Sequence, residues 1–196
     1  MKCDESLVPM IETVTSFSVS PVVNTKRFHD AFESMPIPRK VSQSVYEQAG
    51  RILRATNGTE HEHMAAVNDR TGELVADNLH RPPARCRTGF NGAEMERVLD
   101  CRDGVILVHN HPAGKPPSYR DVYTAASYPC IRASVVVGHD GGVWWVSVAS
   151  ADVASSLEAR YNELKDSLGA YAEVKALRML LEDAAKRNVI DWRCLR

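Results

Sequence analysis

The chain has 196 residues, enough for one medium domain with a real core, and its 24 basic and 25 acidic side chains form no long basic run, which argues against a dedicated nucleic-acid binder. Its five cysteines, Cys3, Cys86, Cys101, Cys130 and Cys194, are odd in number, widely spaced and without a C-x-x-C pair, so reduced thiols are expected rather than a zinc ribbon or a disulfide framework. MKCDESLVPM lacks an apolar signal core and no stretch is long and apolar enough to span a bilayer, so the expectation is a cytoplasmic protein with no membrane partner.

In chain order, MIETVTSFSVSPVV (10–23) alternates and is rich in β-branched residues, which predicts one or two strands. NTKRFHDAFESM predicts a short helix capped by Asn24, and SQSVYEQAGRILRAT an amphipathic helix ending near Asn57-Gly58. EHMAAVN and ELVADNL, on either side of Asp69-Arg70-Thr71-Gly72, predict a hairpin. LHRPPARCRTGFNG reads as loop and AEMERVLDC as a short helix. GVILVH is a continuous apolar run ending at His109, as expected of a buried strand. SYRDVYTAAS follows as a helix, and RASVVVG and VWWVSVA flank HDGG as a second hairpin, with one of Trp144 and Trp145 expected in the core and the other exposed.

From Ala151 the pattern becomes helical. Leu157, Tyr161, Leu164, Leu168 and Tyr171, then Leu177, Leu181 and Ala184, form an apolar stripe interrupted at Gly169. It is expected to cover the sheet; a partner or homodimer contact is the alternative. The organisation expected is an N-terminal strand/helix segment over 1–40, a central domain over 41–149 and a helical segment over 150–196. Strands mixed with helices predict an α/β (α+β) fold, a mixed curved β-sheet flanked by helices.

The chemistry concentrates in HNHPAGKPPSYRD, His109 to Asp121. Alternation along a strand places His109 and His111 on one side, where two imidazoles can share a cation. Zn²⁺ favours such nitrogen and oxygen ligands, and Asp121 can be the third. Pro112, Gly114, Pro116 and Pro117 form a stiff turn that can return the chain over the histidines. Ser118-x-x-Asp121 is also nearly a capping box, and on that reading it only starts a helix. A proton acceptor beside metal-activated water would come from GTEHEHMAAVN, where Glu60 and Glu62 share parity. His61 and His63 read as packing or surface residues, His139 as a turn residue, and His29 and His80 as lacking partners.

HNHPAGKPPSYRD resembles the H-x-H-P…S-x-x-D signature of the JAB/MPN (JAMM) zinc metalloprotease family, most closely its RadC-like and phage-type bacterial branch. The similarity spans roughly residues 41–149. The resemblance implies a cytidine-deaminase-like architecture and Zn²⁺ held by His109, His111 and Asp121, with Ser118 as the donor that steadies an oxyanion. It implies an upstream glutamate as general base and acid: Glu62 by likeness of Glu-His-x-Ala-Val to the phage-type branch, Glu60 by counting back as in RadC-like proteins. Nine residues separate His111 from Asp121, one fewer than in many members. The implied activity is zinc-dependent hydrolysis of a peptide or isopeptide bond in a protein or peptide substrate, a ubiquitin-like conjugate among the candidates. The alternatives are a RadC-like DNA-associated protein and a metal-binding, non-catalytic scaffold. The consecutive HNH letters do not match the HNH nuclease pattern, whose residues are spread along the chain. A zinc deaminase is excluded because no H-x-E precedes Pro129-Cys130-Ile131-Arg132, which Ala133 follows in place of the second cysteine.

Overall fold

The computed structural model describes residues 17–85, 87–148, 153–168 and 172–195. Of the strands expected over 10–23, residues 10–16 lie outside the described residues; beyond them the chain forms no strand but a short 3₁₀ turn at Pro21–Asn24. Ser20 Oγ accepts from the Val22 amide at 3.3 Å and Pro21 occupies the first helical position, so cap and proline override the β-branched pattern. Helix α1 (Lys26–Glu33) is capped by Thr25 rather than Asn24, its Oγ1 accepting from the Phe28 amide. Helix α2 (Arg39–Thr56) starts straight after Pro38 and buries Val41, Val45, Ala49, Ile52 and Leu53 at helical spacing.

The strands are β1 (His61–Glu62), β2 (Met64–Asn68), β3 (Leu74–Asp77), β4 (Ala84–Arg85), β5 (Val105–His111), β6 (Ile131–Gly138), β7 (Val143–Val148) and β8 (Ile190–Cys194). The helices after α2 are α3 (Gly92–Leu99), α4 (Tyr119–Ser127), α5 (Val153–Leu168) and α6 (Ala172–Lys186). Six strands form an open mixed sheet in the order β3-β2-β5-β6-β7-β8, and β1 pairs separately with β4. The β2–β3 and β6–β7 hairpins fall where DRTG and HDGG predict them. Strands β5 and β6 run parallel, which demands a crossover, and α4 supplies it. The fold is therefore mixed α/β, and no described helix is long and apolar enough to cross a membrane.

Helices cover both faces of the sheet. On one, Phe28, Phe32 and the α2 stripe pack on Ile106, Val108, Val135 and Trp145. On the other, α3 and α4 pack on Leu107 and Ile131, and Leu164, Leu177, Leu181 and Ala184 bury against Val122 and Val146. The C-terminal stripe thus lies on the chain's own sheet; the side chain of Leu157 and residue Tyr171 lie outside the described residues. The double cover corrects one expectation. Trp144 and Trp145 point to opposite faces, yet both are buried, at 5 % and 4 % exposure, because neither face of β7 is open.

Of the remaining histidines, only His29 and His80 depart from expectation. His139 lies in the β6–β7 turn, as expected, and is buried there, with Nδ1 2.6 Å from the Phe17 carbonyl and Nε2 3.1 Å from Thr56 Oγ1. His80 and His29 have partners, Nε2 of His80 lying 3.3 Å from Glu94 Oε1 and the His29 ring meeting Tyr46 edge-on at 4.9 Å. His63 is buried as packing, its Nδ1 3.1 Å from Asn78 Oδ1. Strand β8 went unpredicted, although Ile190-Asp191-Trp192-Arg193-Cys194 alternates apolar and charged residues as a strand does.

Candidate metal centre

His109 and His111 end β5 on the face that carries α3 and α4, as alternation requires. Their Nε2 atoms lie 3.2 Å apart. Asp121 sits in the first turn of α4, with Oδ1 3.2 Å from His109 Nε2 and Oδ2 3.5 Å from His111 Nε2. The one-residue-shorter loop therefore still reaches. Gly114 helps it turn: it adopts φ +64°, and its amide donates to the His111 carbonyl at 3.0 Å.

The capping box is present as well. Ser118 Oγ accepts from the Asp121 amide at 3.4 Å, and the Ser118 amide donates to Asp121 Oδ2. Cap and site are thus not exclusive. The box aims the Asp121 carboxylate, and the same two oxygens face the histidines. The helix N-terminus favours negative charge at that position.

Loop carbonyls fix the His111 ring. Its Nδ1 lies 3.0 Å from the Lys115 carbonyl and 3.1 Å from that of Pro116. A carbonyl only accepts, so Nδ1 carries the proton and Nε2 keeps its lone pair toward Asp121 and His109. Burial and the neighbouring His109 charge lower the His111 pKa, which favours this neutral form. Burial opposes charge on His109, but Asp121 and Glu62 outweigh it and hold that pKa above the usual value. Burial likewise works to raise Asp121, yet the His109 charge and hydrogen bond, His111 and Ser118 hold it well below the ordinary carboxylate range. Among the described residues, no hydrogen-bond partner meets the buried His109 Nδ1.

Glu62 lines the same cavity, of about 640 Å³, together with His109, His111, Ser118 and Asp121. Burial raises its pKa to about 7, with Asp121 adding to the rise and His109 opposing it. Glu60 precedes β1 and pairs instead with Arg85. The structure thus brings Glu62 to the histidines and places Glu60 in an ion pair. Among the described residues one other cluster, His29, Asp30 and Glu33, has ligand-type atoms close together. Its carboxylates already face cations: Lys26 lies 2.6 Å from Asp30 and Arg39 3.3 Å from Glu33.

Behind β5 lies a further polar residue that the motif does not include. Asn110, between the two histidines, is fully buried and hydrogen-bonded to the chain on both sides of Glu62. Its sequence signal was a carboxamide between two candidate ligands, on the opposite face of the same strand.

Compared with protein-family models, with curated proteins and with solved structures, the chain returns no match.

Proposed function

We propose that this protein is a zinc-dependent metallopeptidase or isopeptidase of the JAB/MPN type, hydrolysing a peptide or isopeptide bond, with ubiquitin-like conjugates among the candidate substrates. One observation carries the reading. The ligand atoms of His109, His111 and Asp121 converge within 4.8 Å of one another, and a carboxyl group with a pKa near 7, Glu62, lines the same cavity. The open mixed sheet flanked by helices accords with that family's architecture.

The donor set fits a cation. Two imidazole nitrogens and a carboxylate face one point, and the His111 tautomer leaves its lone pair there. Three protein ligands of this kind are those of catalytic rather than structural zinc sites. Zinc bound there supplies a Lewis acid that polarises a carbonyl and makes water more acidic.

The chain's own residues do the rest. Glu62, with its pKa near neutrality, takes the proton of the attacking water and delivers it to the leaving amine. Ser118 Oγ uses its acceptor capacity on the Asp121 amide, and its O–H donates to the substrate carbonyl oxygen as that atom gains charge. The cavity volume suits a few residues of extended peptide.

The test is hydrolysis by zinc-loaded protein of a panel of peptides and of isopeptide-linked ubiquitin-like conjugates. Cleavage abolished by chelator and restored by zinc is expected. Cleavage that persists in chelator, or no cleavage across the panel by protein holding one zinc, would count against it.

A further inference from the structure

Asn110 follows one site histidine and precedes the other, and strand alternation turns its side chain to the opposite face of β5. Its Oδ1 accepts from the His63 amide at 2.9 Å, and its Nδ2 donates to the His61 carbonyl at 3.0 Å. These are the peptide groups that flank Glu62. In an extended chain the carbonyl before a residue and the amide after it point to the same edge. One carboxamide can therefore bridge both, as a facing peptide unit does in a ladder.

The place where this happens is informative. The β2–β5 ladder ends at the pair Met64–His109. Before Met64 the chain turns to β4, with Glu62 opposite Ala84. The Asn110 side chain takes over where main-chain pairing with β5 stops.

The carboxamide is also held from behind. The second Nδ2 hydrogen faces His139 Nε2 at 3.0 Å and Thr56 Oγ1 at 3.1 Å. The 2.6 Å contact with the Phe17 carbonyl requires the His139 proton on Nδ1, which leaves Nε2 as an acceptor. Thr56 donates to the Ile52 carbonyl at 2.9 Å and keeps a lone pair for Asn110. A flipped amide would set donor against donor at His63 and acceptor against acceptor at His61, so only one orientation fits.

We propose that Asn110 is a positioning residue, a carboxamide clamp that fixes the Glu62 segment relative to the ligand pair His109 and His111. The proposal rests on the reading of Glu62 as the proton shuttle. The ligands and the clamp come from three consecutive residues of one buried strand, so the base is referenced directly to the metal. An apolar residue at this position would leave the His63 amide and the His61 carbonyl without their partner.

The test replaces Asn110 by Leu, close in shape, and by Ser, too short to reach either peptide group. Three readouts apply: hydrogen exchange of the His63 amide, zinc titration, and the position of Glu62 in crystal structures of the variants. We expect His63 exchange to quicken about tenfold. Glu62 should shift by about 1 Å against β5, while zinc affinity stays within about threefold of wild type, because both histidines remain in the β5–β6 ladder. On a substrate that the wild type cleaves, kcat should fall roughly 100-fold with little change in KM. An unmoved Glu62 with a protected His63 amide would overturn the clamp. So would loss of zinc binding, which would make Asn110 a support of the ligands instead. If Asn110→Leu fails to fold, Asn110→Ser is read in the same way. A wild type that takes up no zinc would sink the proposed activity, while His63 exchange and the position of Glu62 would still decide the clamp.

Discussion

His111 Nδ1 lies 3.0 Å from the carbonyl oxygen of Lys115, and this contact determines which nitrogen of the ring faces the cavity. The metal-free protein should therefore hold His111 as the Nδ1–H tautomer above neutral pH, where its lowered pKa keeps it uncharged. Nitrogen-15 shifts of the labelled imidazole report this directly. A proton found on Nε2 would contradict the ligand-ready arrangement.

Glu62 links the site to stability. Its folded pKa near 7 exceeds the ordinary 4.5, so the folded chain binds this proton more tightly than the unfolded one. Its contribution is complete below about pH 4.5 and is lost as pH rises through 7. In the metal-free protein, Glu62→Gln should therefore stabilise at pH 8 by about 1–2 kcal/mol, after discounting for solvent screening, and change little at pH 4. Denaturant unfolding in chelator at the two pH values measures this. Equal stabilities at pH 8 would mean that Glu62 is not perturbed by burial.

The two glutamates should separate cleanly in activity. Glu62→Gln is expected to reduce hydrolysis by about 10²–10⁴-fold with zinc still bound, the usual range for loss of a general base. Glu60→Gln breaks an ion pair with an exposed arginine and should leave the rate within about threefold. The reverse order would move the proton shuttle to Glu60.

Ser118 combines cap and hydroxyl, and two substitutions part them. Ser118→Ala should cost about 1 kcal/mol in stability, and Ser118→Gly only a few tenths. Both remove the O–H and should lower kcat by roughly 10²-fold. Both keep the backbone amide that donates to Asp121 Oδ2, so zinc affinity should hold. A glycine variant with the wild-type rate would leave Ser118 a cap alone.

Much of this architecture was legible because local signals agreed with tertiary ones. GVILVH reads as a buried strand and is one, with both faces covered by helices. DRTG and HDGG sit between apolar runs and turn as hairpins. The spacing from His109 to Asp121 placed both histidines and the carboxylate at a strand end and a helix start, where they meet. Less legible features depend on long-range partners. Strand β8 pairs with the edge of β7, and its alternation runs for only five residues shortly after a helix, too short to stand out by itself. His139 became a buried residue through Phe17 and Thr56, both far from it in the sequence. That Glu60 pairs with Arg85 while Glu62 lines the cavity with the histidines depends on β1 pairing with β4, which local alternation cannot foresee.

The most direct test is the metal content of the wild type and of His109→Ala/His111→Ala, by elemental analysis after purification without chelator and after zinc titration. One zinc per chain in the wild type and none in the double variant is expected. No zinc in the wild type under either condition, or equal zinc in both proteins, would contradict a metal centre at His109, His111 and Asp121.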